Sequence, residues 1–154
     1  MKEKNEFMQL AIKEAKKGVR KREGGPFGAV IVCNGKVISK AHNTVLKDKS
    51  PIAHAEINAI MKASKKLKKF NLSDCELYTT CEPCPMCLSA VYWARIKKVF
   101  FSDNSKEAAK IGFDDKKLYD SFKKNKFPIK LIKTRLKESK EVMGEFVSLK
   151  GKKY

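Results

Sequence analysis

The chain has 154 residues, 42% of them hydrophobic, and a formal net charge of +18. That length suits one domain with a real core, and no apolar run approaches the roughly 18 residues of a membrane helix. The polar, mixed-charge start from Met1 to Glu6 is no signal peptide, so a cytoplasmic protein is expected.

In chain order, Phe7, Leu10, Ala11, Ala15 and Val19 follow helical spacing, predicting an amphipathic helix over about 3–22 that Gly24-Gly25-Pro26 breaks. Ala29–Cys33, Asn34-Gly35 and Lys36–Ser39 predict a hairpin, because Asn-Gly suits a type I′ turn. Residues 42–52 read as loop, His54 to about Lys69 as helix, and Glu76–Thr80 as strand. A Cys/Pro turn leads to a helix over about 84–94, a strand at Lys98–Phe101 and a helix over about 115–125. Phe127–Lys133 is expected to be a last strand and Glu138–Leu149 a last helix. Helices alternating with strands after a hairpin imply a three-layer α/β/α sandwich around a mixed five-stranded sheet. With no repeat or linker visible, residues 1–154 read as a single domain.

The charge admits a nucleic-acid surface. However, only Arg20, Arg22, Arg95 and Arg135 among the 35 basic residues are arginines, the residue suited to bidentate and stacking contacts. The lysines are scattered, so solvated faces are favoured and a nucleic-acid partner is not. Five cysteines, at 33, 75, 81, 84 and 87, three of them clustered, argue for metal binding over disulfides.

His54-Ala55-Glu56 followed by Pro83-Cys84-Pro85-Met86-Cys87 forms the H-x-E and P-C-x-x-C pattern of zinc nucleobase deaminases. Cys84 and Cys87 lie at i and i+3 on one face of a helix start, so both sulfurs reach one ion, and His54 supplies a third ligand. Three ligands leave a tetrahedral zinc one position open for chemistry. Glu56 sits close enough to move protons there without ligating zinc. Cys81 extends the run to C-x-x-C-x-x-C, which resembles part of an iron–sulfur or four-ligand zinc run. No fourth cysteine follows in register, so Cys81 is read as packed beside the site. Cys33 and Cys75 are read as inert core residues.

More narrowly, Gly24–Val32, Ala53–Glu56, Thr80–Leu88, Tyr92-Trp93-Ala94-Arg95, Ala108–Asp115 and the Lys-Lys-Tyr154 end resemble the bacterial guanine deaminases, members of the cytidine deaminase-like superfamily. The resemblance implies that fold and hydrolysis of guanine to xanthine and ammonia. It implies one zinc per chain on His54, Cys84 and Cys87, with Glu56 as proton shuttle and a second glutamate placed at Glu141, Glu138 being the alternative. It implies Phe27 as the ring that stacks on the purine and Asn43 as the amide that bonds it. Ala55 would give main-chain contacts, and Trp93, Asp115 and Tyr154 would help close the pocket. It further implies a homodimer with exchanged C-terminal segments, here about 135–154, covering the active sites. Guanosine deaminase and tRNA adenosine deaminase are the rival chemistries. A structural-zinc nucleic-acid-binding module is the non-enzymatic rival, and it leaves Glu56 without a task.

Overall fold

The computed structural model describes residues 2–134 and 136–152, without the side chains at positions 2, 3 and 137. Helix α1 (Lys2–Arg20) leads into strands β1 (Gly28–Cys33) and β2 (Lys36–His42). Asn34 and Gly35 between them have φ of 50° and 72°, the pair of positive values a type I′ turn requires. A short helix α2 (Val45–Asp48) lies within the expected loop. Then come α3 (Ala55–Leu67), β3 (Cys75–Cys81), α4 (Pro85–Trp93), β4 (Lys98–Asp103), α5 (Ser105–Lys110), α6 (Lys116–Lys123) and α7 (Lys137–Ser148).

The strand order is β2-β1-β3-β4. β1 is antiparallel to both neighbours, and β3 and β4 are parallel. β1 is buried along its whole length, because alternate residues serve opposite layers. Val30 and Val32 join Ala11 and Tyr78 beneath α1. Ala29 and Ile31 join Leu77 and the small residues Ala55, Ala59 and Ala63 of α3. Each fully buried large aliphatic contributes about 1.5–3 kcal/mol. Alanines at i, i+4 and i+8 let α3 approach the sheet closely and fix where its N-terminus points.

Two expectations are corrected. The sheet has four strands among the described residues, not five. Residues 127–133 form no strand, and Ile129, Leu131 and Ile132 are exposed. Pro128 lacks a ladder donor, and a strand needs an edge to pair with. Cys33 and Cys75 are not inert: they are directly opposite in the β1–β3 register and form a disulfide, with Cα atoms 4.1 Å apart. Helix α5 begins with a capping box, Asn104 accepting from the backbone N–H groups of Lys106 and Glu107 while Glu107 accepts from that of Asn104. Among the described residues no helix is long and apolar enough to cross a membrane.

Candidate metal centre and active-site cavity

Two helix starts face one point. His54 is the N-cap of α3 and Cys84 the N-cap of α4, both with extended backbone. Neither side chain caps its own helix, so the imidazole and thiol remain for another task. Pro85 fills the first position of α4, where a missing N–H costs nothing, and Cys87 follows one turn on. Nδ1 of His54 lies 3.7 Å from the Cys84 sulfur and 3.5 Å from that of Cys87. The ligating atoms of these three residues all lie within 4.8 Å of one another, the spacing of donors around one ion.

The electrostatics suit a cation. The Cys87 thiol donates to Cys84 and, with help from His54, holds the Cys84 thiol down to about 4. That bond and burial push the Cys87 thiol up, so without a cation the pair gives up one proton readily and retains the second. The hydrogen bond to Cys84 raises His54. Two soft thiolates and an imidazole fit zinc, and three donors leave one tetrahedral position open.

Glu56, in the first turn of α3, is 5% exposed. Burial raises its carboxyl above the ordinary range, against a hydrogen bond that Thr79 Oγ1 donates to Oε1 at 3.0 Å. Its other oxygen lies 3.5 Å from the Cys87 sulfur. A buried carboxyl beside the donor cluster has the setting of a proton carrier.

These groups open into a cavity of about 290 Å³ whose walls include Phe27, Phe113, Cys81, Glu82 and Asp115. Phe27 meets Phe113 edge to face, 5.0 Å between ring centres. The structure thus gathers Phe27, His54, Glu56, Cys84 and Asp115 around one space. Burial raises Asp115, and the nearby Cys84 charge adds to it.

The other expected site residues stand differently. Asn43 is buried and is not among the residues that line the cavity; its N–H donates to the carbonyl of Phe27, and its Oδ1 accepts from the backbone N–H groups of Gly25 at 3.2 Å and Val45 at 3.1 Å. Ala55 is fully buried between His54 and Glu56. Trp93 is not brought to the cavity: its ring is 61% exposed at the far end of α4, against Tyr92. Nor is Glu141 among the residues that line the cavity: it lies on α7, where it is exposed. Tyr154 lies outside the described residues.

Thr79 and Phe113 were missed. Thr79 shares a strand face with Leu77 and Cys81, and that parity pointed toward α3. Phe113 lies within Ala108–Asp115, a stretch from which the resemblance implies a role for Asp115 alone. Tyr119 of α6 also ties in, its hydroxyl donating to the carbonyl of Pro83 at 3.1 Å.

Residues 1–103 match the model of the cytidine and deoxycytidylate deaminase zinc-binding region. The guanine deaminase of Bacillus subtilis (strain 168) is 50% identical over 118 residues, covering 77% of this chain and 76% of its own. The tRNA-specific adenosine deaminase of Aquifex aeolicus (strain VF5) is also 50% identical, over 99 residues that cover 64% and 65%. The X-ray structure of guanine deaminase from Bacillus subtilis aligns with a TM-score of 0.90 at 42% identity, covering 97% of both chains.

Proposed function

Because the chain belongs to the cytidine and deoxycytidylate deaminase zinc-binding family, we propose that it hydrolyses guanine to xanthine and ammonia on the His54–Cys84–Cys87 centre. The observation that carries the choice of base is the reach of the likeness to guanine deaminase. Identity alone does not separate guanine deaminase from tRNA adenosine deaminase, since both stand at 50%. The structural likeness to guanine deaminase runs on through the chain after β4, including the Phe113–Asp115 wall. Charge supports the same choice. The chain is +18 overall, yet Glu56, Glu82, Asp114 and Asp115 all line the cavity. A neutral base enters such a space more cheaply than a phosphate chain does.

A zinc ion held by the three donors supplies Lewis acidity, which makes water a nucleophile near neutral pH. The residues of the chain do the rest. Phe27 offers a ring face to the planar purine. The two backbone N–H groups on Asn43 Oδ1 orient its amide, leaving the NH₂ as the donor for a purine oxygen. Water oxygen bonds to C2 of guanine and the bond from C2 to the exocyclic nitrogen breaks. Glu56 accepts one proton from the water and passes it to the ring nitrogen N3, then takes the second from the new C2 hydroxyl, which becomes the carbonyl, and delivers it to the departing nitrogen, which leaves as ammonia. Thr79 holds the carboxylate for both transfers.

The C-terminal segment completes this reading. Val142, Met143, Phe146 and Val147 form an exposed apolar stripe on α7, with Leu136 and Leu149 at its ends. A stripe of that size on a solvated helix marks an interaction surface. In this proposal two chains form a homodimer, exchange residues 135–154, and thereby bring Glu141 and Tyr154 to the partner's cavity.

Ammonia release from guanine, guanosine, adenosine, cytosine and tRNA, side by side at low and moderate salt, tests the reading. Guanine should be preferred and its turnover nearly independent of salt. Preferred deamination of tRNA with a steep loss of affinity in salt would overturn it in favour of RNA editing.

A further inference from the structure

His42 ends β2 one residue before Asn43, and its ring is buried between two carboxylates. Nδ1 lies 3.0 Å from Oε2 of Glu14 on α1, and Nε2 lies 2.5 Å from Oε2 of Glu23 in the loop that follows. A neutral imidazole donates from one nitrogen only, so two carboxylate acceptors call for hydrogen on both. The bond from His42 holds the Glu23 carboxyl below its usual range. Among the described residues, Lys17, 3.9 Å from Glu14, and Lys47 of α2, 3.5 Å from Glu23, are the other charged groups paired with this cluster. The ring lies so close over Gly18 of α1 that a β-carbon there would strike it.

From this cluster the contacts run to the cavity. The Glu23 carbonyl accepts from the N–H groups of Leu46 and Lys47. Asn43 holds the stretch after Glu23 at both ends: its Oδ1 takes the Gly25 N–H, and its own N–H donates to the carbonyl of Phe27 at 3.0 Å. Asn58 of α3 donates to the carbonyl of His42 at 3.1 Å. The metal donors and Glu56 belong to α3 and α4 and share none of the carboxylates on His42.

We propose that His42, held as an imidazolium between Glu14 and Glu23, is a positioning residue that sets the Phe27 and Asn43 loops on which guanine seats. The proposal rests on the guanine reading for its substrate. Raising the pH removes one ring hydrogen and leaves a lone pair facing a carboxylate oxygen. The loops then lose their anchor while the reacting groups keep theirs. KM for guanine should rise about tenfold as the ring deprotonates, the size of one lost hydrogen bond, with kcat unchanged.

Glu14→Gln is the decisive variant. Its amide NH₂ can donate to Nδ1, so a neutral ring with hydrogen on Nε2 keeps both bonds. KM in Glu14→Gln should therefore stay flat across the pH range in which the wild-type value climbs. Ionisation of guanine or of Glu56 affects both enzymes alike and cancels in the comparison. His42→Gln should show a raised KM already at neutral pH, with kcat within about twofold, since it removes the anchor and not the reacting groups. The chain has two histidines, so ring ¹⁵N spectra hold two imidazoles, and His42→Gln assigns them. The His42 ring should carry hydrogen on both nitrogens at neutral pH in wild type. A neutral ring there overturns the proposal, and so does a wild-type KM slope that Glu14→Gln retains. The ring spectrum needs no substrate: a doubly protonated His42 in a chain that ignores guanine would sink the guanine reading and leave the clasp standing.

Discussion

Thr79→Val isolates one atom of the proposed machinery. Valine matches threonine in shape and suits a strand, so a fully buried site in β3 keeps its packing. What disappears is the hydrogen bond donated to Glu56 Oε1 at 3.0 Å. Thr79 is fully buried, so no water takes the place of its hydroxyl. A bond to a charged group is worth about 1.5–3 kcal/mol. If Glu56 needs that bond while it carries the proton, kcat falls by about 10- to 150-fold, at 1.36 kcal/mol per tenfold. KM should hold within about twofold, because Thr79 faces the carboxylate and not the base. Steady-state xanthine formation, metal analysis and a thermal melt on one preparation check this. Thr79→Ser, which restores the hydroxyl, should recover most of kcat. Wild-type kcat in Thr79→Val would refute the reasoning, and so would zinc loss in step with kcat, which would make Thr79 a prop for the metal centre.

Metal analysis should find one zinc per chain, absent from His54→Ala, Cys84→Ala and Cys87→Ala but retained in Cys81→Ser; an iron–sulfur absorption band would contradict the assignment. Glu56→Gln should keep its zinc and lose at least the 10²–10⁴-fold of a general acid/base, which a turnover assay with metal analysis reads directly. Cys33 and Cys75 close a loop across 42 residues, so Cys33→Ser with Cys75→Ser should lower oxidised-state stability by up to about 4 kcal/mol in denaturant melts and leave kcat alone. Deleting residues 150–154 should leave a folded, zinc-loaded protein with little guanine turnover, and reassociating it with Glu56→Ala chains should restore some activity if the segment is exchanged; full activity in the truncated protein would rule out a lid.

Local signals were legible in the sequence. Asn34-Gly35 dictates its turn through backbone sterics alone. The two ligand stretches each carry their geometry within a few residues, and their pairing follows from chemistry. Features that depend on which strand meets which were not legible. Nothing near Cys33 announces Cys75 until the register of β1 on β3 places them opposite. The stretch 127–133 has strand composition, but composition supplies no edge to pair with. Thr79 belongs to the same class, since a threonine in a strand has many ordinary reasons to be there. Trp93 was legible as a residue but not in its placement: α4 ends with its ring exposed in the single chain.

The cavity is built by two lengths of chain that meet at the end of β4. The metal donors His54, Cys84 and Cys87, with Glu56 and Thr79, all lie before Asp103, and so do Phe27 and Asn43. The wall opposite comes after it, from Ser105, Ala108, Phe113, Asp114 and Asp115. The chain after β4 thus closes a space whose metal donors all precede it. Substitutions at Ala108, Phe113 or Asp114 reshape one wall of that space without touching a sulfur or the imidazole.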